Sequence, residues 1–128
     1  MRNFKTLTIV AIGATAALVF LAPARAQVSE CHVLGNWAGW GQNGTGTFEV
    51  NPGGSCTIGA STFGHFEGSR VAKKPQHGTV KQLSLSSWQY TAKPGFTGSD
   101  SFVLEGTGHD PSQPAGQRSL VTMNVNVR

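Results

Sequence analysis

Two cysteines, four histidines and a handful of carboxylates are the residues of this 128-residue chain able to carry chemistry. Cys31 and Cys56 are not in a Cys-x-x-Cys arrangement, and they sit on separate elements, which fits neither a redox pair nor a metal knuckle. His32, His65, His77 and His109 fall on four different segments, whereas a zinc site shows at least two ligands close together, so they read as surface or turn residues. Glu49, Glu67, Asp100, Glu105 and Asp110 could supply a pair of glycoside-hydrolysing carboxylates, but any five acids yield pairs. Gly-x-Ser-x-Gly is absent, and Gly44-Thr-Gly46 and Gly106-Thr-Gly108 lack the third glycine and the following helix of a phosphate loop. The expectation is therefore a protein that is not an enzyme, with no catalytic residues, no metal and no cofactor. Trp37 and Trp40 are the candidates for ligand binding. On an exposed Gly-rich loop they would stack on sugars or enter a partner's pocket; alternatively they cover one end of the core.

The elements that must position these residues start after a leader. Arg2 and Lys5 make a positive start, Leu7 to Leu21 is largely apolar, and Ala24-Arg25-Ala26 is a small-x-small cleavage site. The apolar run is near 15 residues, short of the roughly 20 that a spanning helix needs. The reading is a signal peptide over 1–26 and one domain over 27–128, secreted or periplasmic, with no membrane insertion after cleavage. Arg2, Lys5 and Arg25 leave with the leader, and seven Lys/Arg then face six Asp/Glu, a net charge of +1. That balance gives no support to a nucleic-acid partner. In an exported chain of this size Cys31 and Cys56 form one disulfide.

Period-2 alternation dominates the rest. Phe48 and Val50 point one way before Asn51-Pro-Gly-Gly54 turns the chain, and Cys56, Ile58 and Ala60 are the inward set of the next strand. Phe63, His65 and Phe66 lie in a loop or short edge strand over 62–68, and Val71-Ala72 opens the strand to Pro75. Within 79–85, Leu83 and Leu85 read as the buried face. Trp88, Tyr90 and Ala92 alternate with polar residues, as do Phe102 and Leu104, then Val121, Met123, Val125 and Val127. Gly106 to Gly116 has no apolar periodicity and reads as a long polar loop. Asp100 reads as a turn residue whose carboxylate accepts hydrogen bonds from backbone amides. The segment 27–46, rich in Gly and Trp, reads as a short strand plus loop tied in by Cys31.

Pro75-Gln-His-Gly-Thr-Val80, the core from Tyr90 through Pro94-Gly-Phe96 to Asp100-Ser-Phe102, and the Val-rich last strand resemble the bacterial immunoglobulin-like (cadherin-like) repeats of secreted and cell-surface proteins. The resemblance implies an antiparallel immunoglobulin-like β-sandwich of seven or eight strands, acting as a binding or adhesion module. The partner would be a protein or a cell-surface glycan, with a carbohydrate-binding module using Trp37 and Trp40 as the alternative. The resemblance gives His77 a structural place in its turn. Many relatives carry acidic calcium-binding runs after the second strand; the stretch here, 59–65, has no acid, which speaks against calcium.

Overall fold

The structure is a computed structural model that describes residues 13, 17–20, 31–60 and 64–128. Apart from 13 and 17–20, the proposed leader 1–26 lies outside the described residues, as do Phe63 and residues 27–30. Among the described residues there are eight strands and no helix: β1 (Leu34–Asn36), β2 (Gly44–Val50), β3 (Ser55–Gly59), β4 (His65–Lys73), β5 (Gly78–Ser84), β6 (Ser87–Ala92), β7 (Gly98–His109) and β8 (Gln117–Val127). They form a five-stranded sheet in the order β1-β2-β8-β7-β4 and a three-stranded sheet in the order β3-β6-β5. The two pack as a β-sandwich about one core.

The larger sheet is mixed, which corrects the expectation of an all-antiparallel sandwich. β2 runs parallel to β8, from Gly44 opposite Val121 to Val50 opposite Val127. No hairpin joins these strands. The chain between them passes through the other sheet, so no turn signal betrays their relative direction.

Alternation sets what is buried. Phe48 and Val50 of β2, Cys56 and Ile58 of β3, Trp88, Tyr90 and Ala92 of β6, Phe102 and Leu104 of β7, and Met123, Val125 and Val127 of β8 make the core. The Tyr90 and Phe102 rings stack across the two sheets with centroids 5.5 Å apart, and Phe48 meets both edge-on. Leu83 and Leu85 do not join them. Each is about half exposed, at 47% and 50%, and Val80 packs against the core from β5 instead. β5 is an edge strand, and its register with β6 shifts between Gln82 and Ser84, which takes Leu83 out of the regular ladder.

Asp100 is buried at the start of β7. Its carboxylate accepts hydrogen bonds from the Tyr90 hydroxyl at 2.8 Å, from the amides of Gln76 and His77 at 3.1 Å each, and from the Ser101 amide. His77 completes the lock by stacking on Phe96, with centroids 4.0 Å apart and planes nearly parallel. The turn at 75–78 is thus fastened to both sheets by one carboxylate. Burial, reinforced by the bond to Asp100, pushes the Tyr90 phenol well above its ordinary range.

On the outer face of the larger sheet Glu105 takes both guanidiniums of its cross-strand neighbours, Arg118 at 2.7 Å and Arg70 at 3.0 Å. The hydrogen bond from Arg118, then that from Arg70, holds the carboxyl down at about 2.

Cys31 is joined to Cys56, with Cα atoms 5.5 Å apart. β1 belongs to the larger sheet and β3 to the smaller, so the bridge ties the two layers along one side. Reducing it should lower the stability by about 3.5 kcal/mol in the loop-entropy model. Urea transitions with and without reductant measure this; equal midpoints would mean that the crosslink contributes nothing.

Candidate functional site

Three neighbouring strands of the larger sheet run out of side-chain volume at the same end of the sandwich. The inward positions of β2 read Val50, Phe48, Gly46, Gly44; those of β7 read Phe102, Leu104, Gly106, Gly108; those of β8 end on Val121 and Ser119. The register aligns them, with Gly106 opposite Ser119 and Gly46 opposite Met123. Paired sheets stand about 10 Å apart whatever they carry. Glycines facing inward in adjacent strands therefore leave space that something else must fill.

Trp40 fills part of it. Its indole lies against Gly106 and Gly108, is 3% exposed, and meets Phe66 of β4 edge-on at 4.8 Å. The ring arrives on the loop 37–43, where Gly39 and Gly41 take φ of 129° and 86°, conformations that a side chain would resist. Polar contacts hold that loop down. The Gly41 amide donates to Ser119 Oγ, the Leu120 amide to Asn43 Oδ1, and Gln113 Nε2 to the Trp40 carbonyl.

What is left is a partly open cleft of about 280 Å³. Phe66, Leu104, Val121 and Met123 wall it from the larger sheet, Ile58 and Trp88 from the smaller, and Val33 with Trp37 from the disulfide-bound segment. Trp37, Trp40, Phe66 and Trp88 make a continuous run of rings, at centroid distances of 5.2, 4.8 and 6.4 Å. Gly35 and Asn36, both exposed, lie where the cleft meets solvent. The polar side chains of the lining are engaged: Asn36 Oδ1 accepts from Thr45, and Ser119 Oγ bonds to Gly41 and Gly39. Trp88 is the exception. It is 3% exposed, and among the described residues its buried Nε1–H has no hydrogen-bond partner. Burying a donor in that way costs about 1–3 kcal/mol.

No protein-family model and no curated protein matches this chain.

The sequence candidates fall out as follows. Trp37 and Trp40 come together at this site but differ in exposure: Trp40 is buried and Trp37 half-buried, their planes 87° apart. Trp37 Nε1 donates to the Gln42 carbonyl. Trp88 and the inward glycines are site residues that sequence reasoning missed, while Phe66, open like the tryptophans to either a core or a binding place with the core favoured, joins them from β4. The usable signal was Gly106-x-Gly108 at strand spacing after Phe102 and Leu104, which marks a seat for a large side chain from elsewhere.

The expected polar loop 106–116 is also corrected. Gly106 to His109 continue β7, and the loop is confined to 110–116. Periodicity vanished there because glycine occupies the inward positions. Of the four histidines, His65 and His109 are cross-strand neighbours, with rings 5.4 Å apart. His109 Nδ1 is 2.6 Å from Glu67, whose other oxygen accepts from the Gly116 amide, so this cluster pins the loop to β4. A bulge between Phe66 and Gly68 turns Glu67 out to do so. Among the described residues no three His, Cys, Asp or Glu side chains are grouped to hold a metal ion.

Proposed function

We propose that the protein is an exported, non-catalytic binding domain of the immunoglobulin-like (cadherin-like) type, and that the aromatic cleft is its ligand site. The cleft is the observation that carries this reading, because a well-packed sandwich of this size has no use for an open space of this kind in its interior. The order β3-β6-β5 facing β8-β7-β4 matches strands B-E-D facing G-F-C of an immunoglobulin-like sandwich and supports the fold assignment. The Asp100 lock gives a physical reason for the pairing of the two motifs, since it joins the Pro75–Val80 turn to the Tyr90–Phe102 core. Export is supported by the disulfide and by Leu18, Val19 and Phe20, which stand about 80–90% exposed, as an apolar leader outside the fold would. Sugar stacking on a pair of exposed rings has less support, since Trp40 presents almost none of its surface.

Titrating the folded, oxidised chain with anilinonaphthalene sulfonate tests the reading. A saturable rise in dye emission at one site per chain is expected, and it should be lost in Ala60→Leu, which fills the cleft with a larger apolar group. A dye response that does not saturate, or that survives the filling substitution unchanged, would count against the cleft as a ligand site.

A further inference from the structure

Strand register brings two histidines together on the outer face of the larger sheet. His65 on β4 and His109 on β7 are direct cross-strand partners, and their ring centroids stand 5.4 Å apart. Their chain neighbours Phe66 and Gly108 face the core, so the pair lies on the far side of the sheet from Trp40 and the cleft. We infer that the pair is a binding site for a divalent transition-metal ion of the zinc type, held by the two imidazoles with water in its remaining positions. The site is independent of the cleft.

Three observations carry it. The first is orientation. His109 Nδ1 lies 2.6 Å from Glu67 Oε1, and a carboxylate only accepts, so the ring proton sits on Nδ1 and the neutral ring presents its Nε2 lone pair. A histidine that gives its other N–H to a carboxylate is the usual form of a zinc ligand, and Glu67 is in turn held by the Gly116 amide at 2.9 Å. The second is availability. The His65 side chain is exposed and makes no hydrogen bond among the described residues, so its ring turns toward an ion without giving up a partner. The third is spacing. A Zn–N bond of about 2.0–2.1 Å puts each ring centre roughly 3.2 Å from the ion, so two rings of a tetrahedral site stand about 5.2 Å apart, against about 4.5 or 6.4 Å for adjacent or opposite places in a square one. The observed separation is nearest the tetrahedral value, the geometry of zinc.

Charge agrees with this. Glu67 and Asp110 bring negative charge beside the pair, and Arg118, opposite Thr107 on β8, is taken up by Glu105. Among the described residues no third ligating side chain is grouped with the two histidines, so the site keeps open positions, unlike a structural centre closed by four protein ligands.

Calorimetric titration of the folded, oxidised chain, carrying no affinity tag, with zinc chloride tests the inference, together with nitrogen spectra of the histidine rings. One ion per chain is expected, and Nε2 of His109 should move together with a ring nitrogen of His65. Magnesium, a hard ion that prefers oxygen, should give neither signal. His65→Gln and His109→Gln should each weaken zinc by about 10-fold or more, since even the outer partners of a ligand are worth about 10–100-fold. His32→Gln, at an exposed histidine outside the pair, should leave the affinity unchanged. Should either variant of the pair not fold, the ring-nitrogen shifts of the unsubstituted protein still decide. No binding at millimolar zinc would overturn the inference, as would binding that moves neither ring or only one, that survives both substitutions, or that is lost with His32→Gln.

Discussion

Asp100→Ala is expected to cost about 4 kcal/mol or more, a large share of the 5–15 kcal/mol that holds a domain of this size. The substitution strands the Tyr90 hydroxyl, which is fully buried, together with the amides of Gln76 and His77. Each buried donor left without an acceptor costs about 1–3 kcal/mol. Tyr90→Phe removes only one donor and should cost about 1.5 kcal/mol. The double variant should then be less destabilised than the sum of the two, because the hydroxyl that Asp100→Ala strands is no longer there. Urea transitions of the four proteins measure the cycle. Strict additivity, or a loss below about 1 kcal/mol for Asp100→Ala, would show that the carboxylate is not the fastening described.

The second large effect concerns the inward glycines. A methyl group at Gly108 would overlap the His65 carbonyl and the Trp40 indole, one of them main chain in the neighbouring strand. Gly108→Ala should therefore unfold the protein or lower its melting temperature by more than 10 °C, taking overpacking at about 3 kcal/mol and about 4–8 °C per kcal/mol. At Gly106 the methyl would lie 3.2–3.4 Å from the Trp40 and Phe66 rings, so that a small shift toward the cleft accommodates it and a mild loss is expected. At Gly59 nothing lies within 4 Å, and alanine should be neutral. Thermal denaturation of the three variants should rank them in that order. A tolerated Gly108→Ala would mean that Trp40 does not rest on β7 as described, and the walls of the cleft would have to be drawn again.

These two sites also mark where the sequence could and could not be read. Strands whose inward positions carry large apolar residues, such as Trp88, Tyr90 and Ala92 or Met123, Val125 and Val127, announce themselves, because burial and alternation coincide. The last four residues of β7 do not, since glycine carries no hydropathy and the side chain that covers it comes from Trp40, some 70 residues away in sequence. Leu83 and Leu85 mislead in the opposite sense: their spacing suggests a buried face, and a register shift on an edge strand leaves them in solvent. Asp100 was legible as an acceptor of backbone amides. Its hold on Tyr90 was not, because it spans the two sheets. The cleft was invisible for a related reason: it is made by what three strands lack at matched register, and register between β2 and β8 is written in no turn.

That parallel pairing has a consequence for the order in which the molecule can be made. β8 lies between β2 and β7, so the larger sheet has no middle until the eleven residues from Gln117 to Val127 have been delivered. Everything earlier in the chain can at most assemble the β3-β6-β5 layer and the β1–β2 and β4–β7 pairs, each with an oily side uncovered. The arrival of β8 is therefore what makes collapse into the finished shape possible, and whatever keeps the earlier strands apart need only act until then.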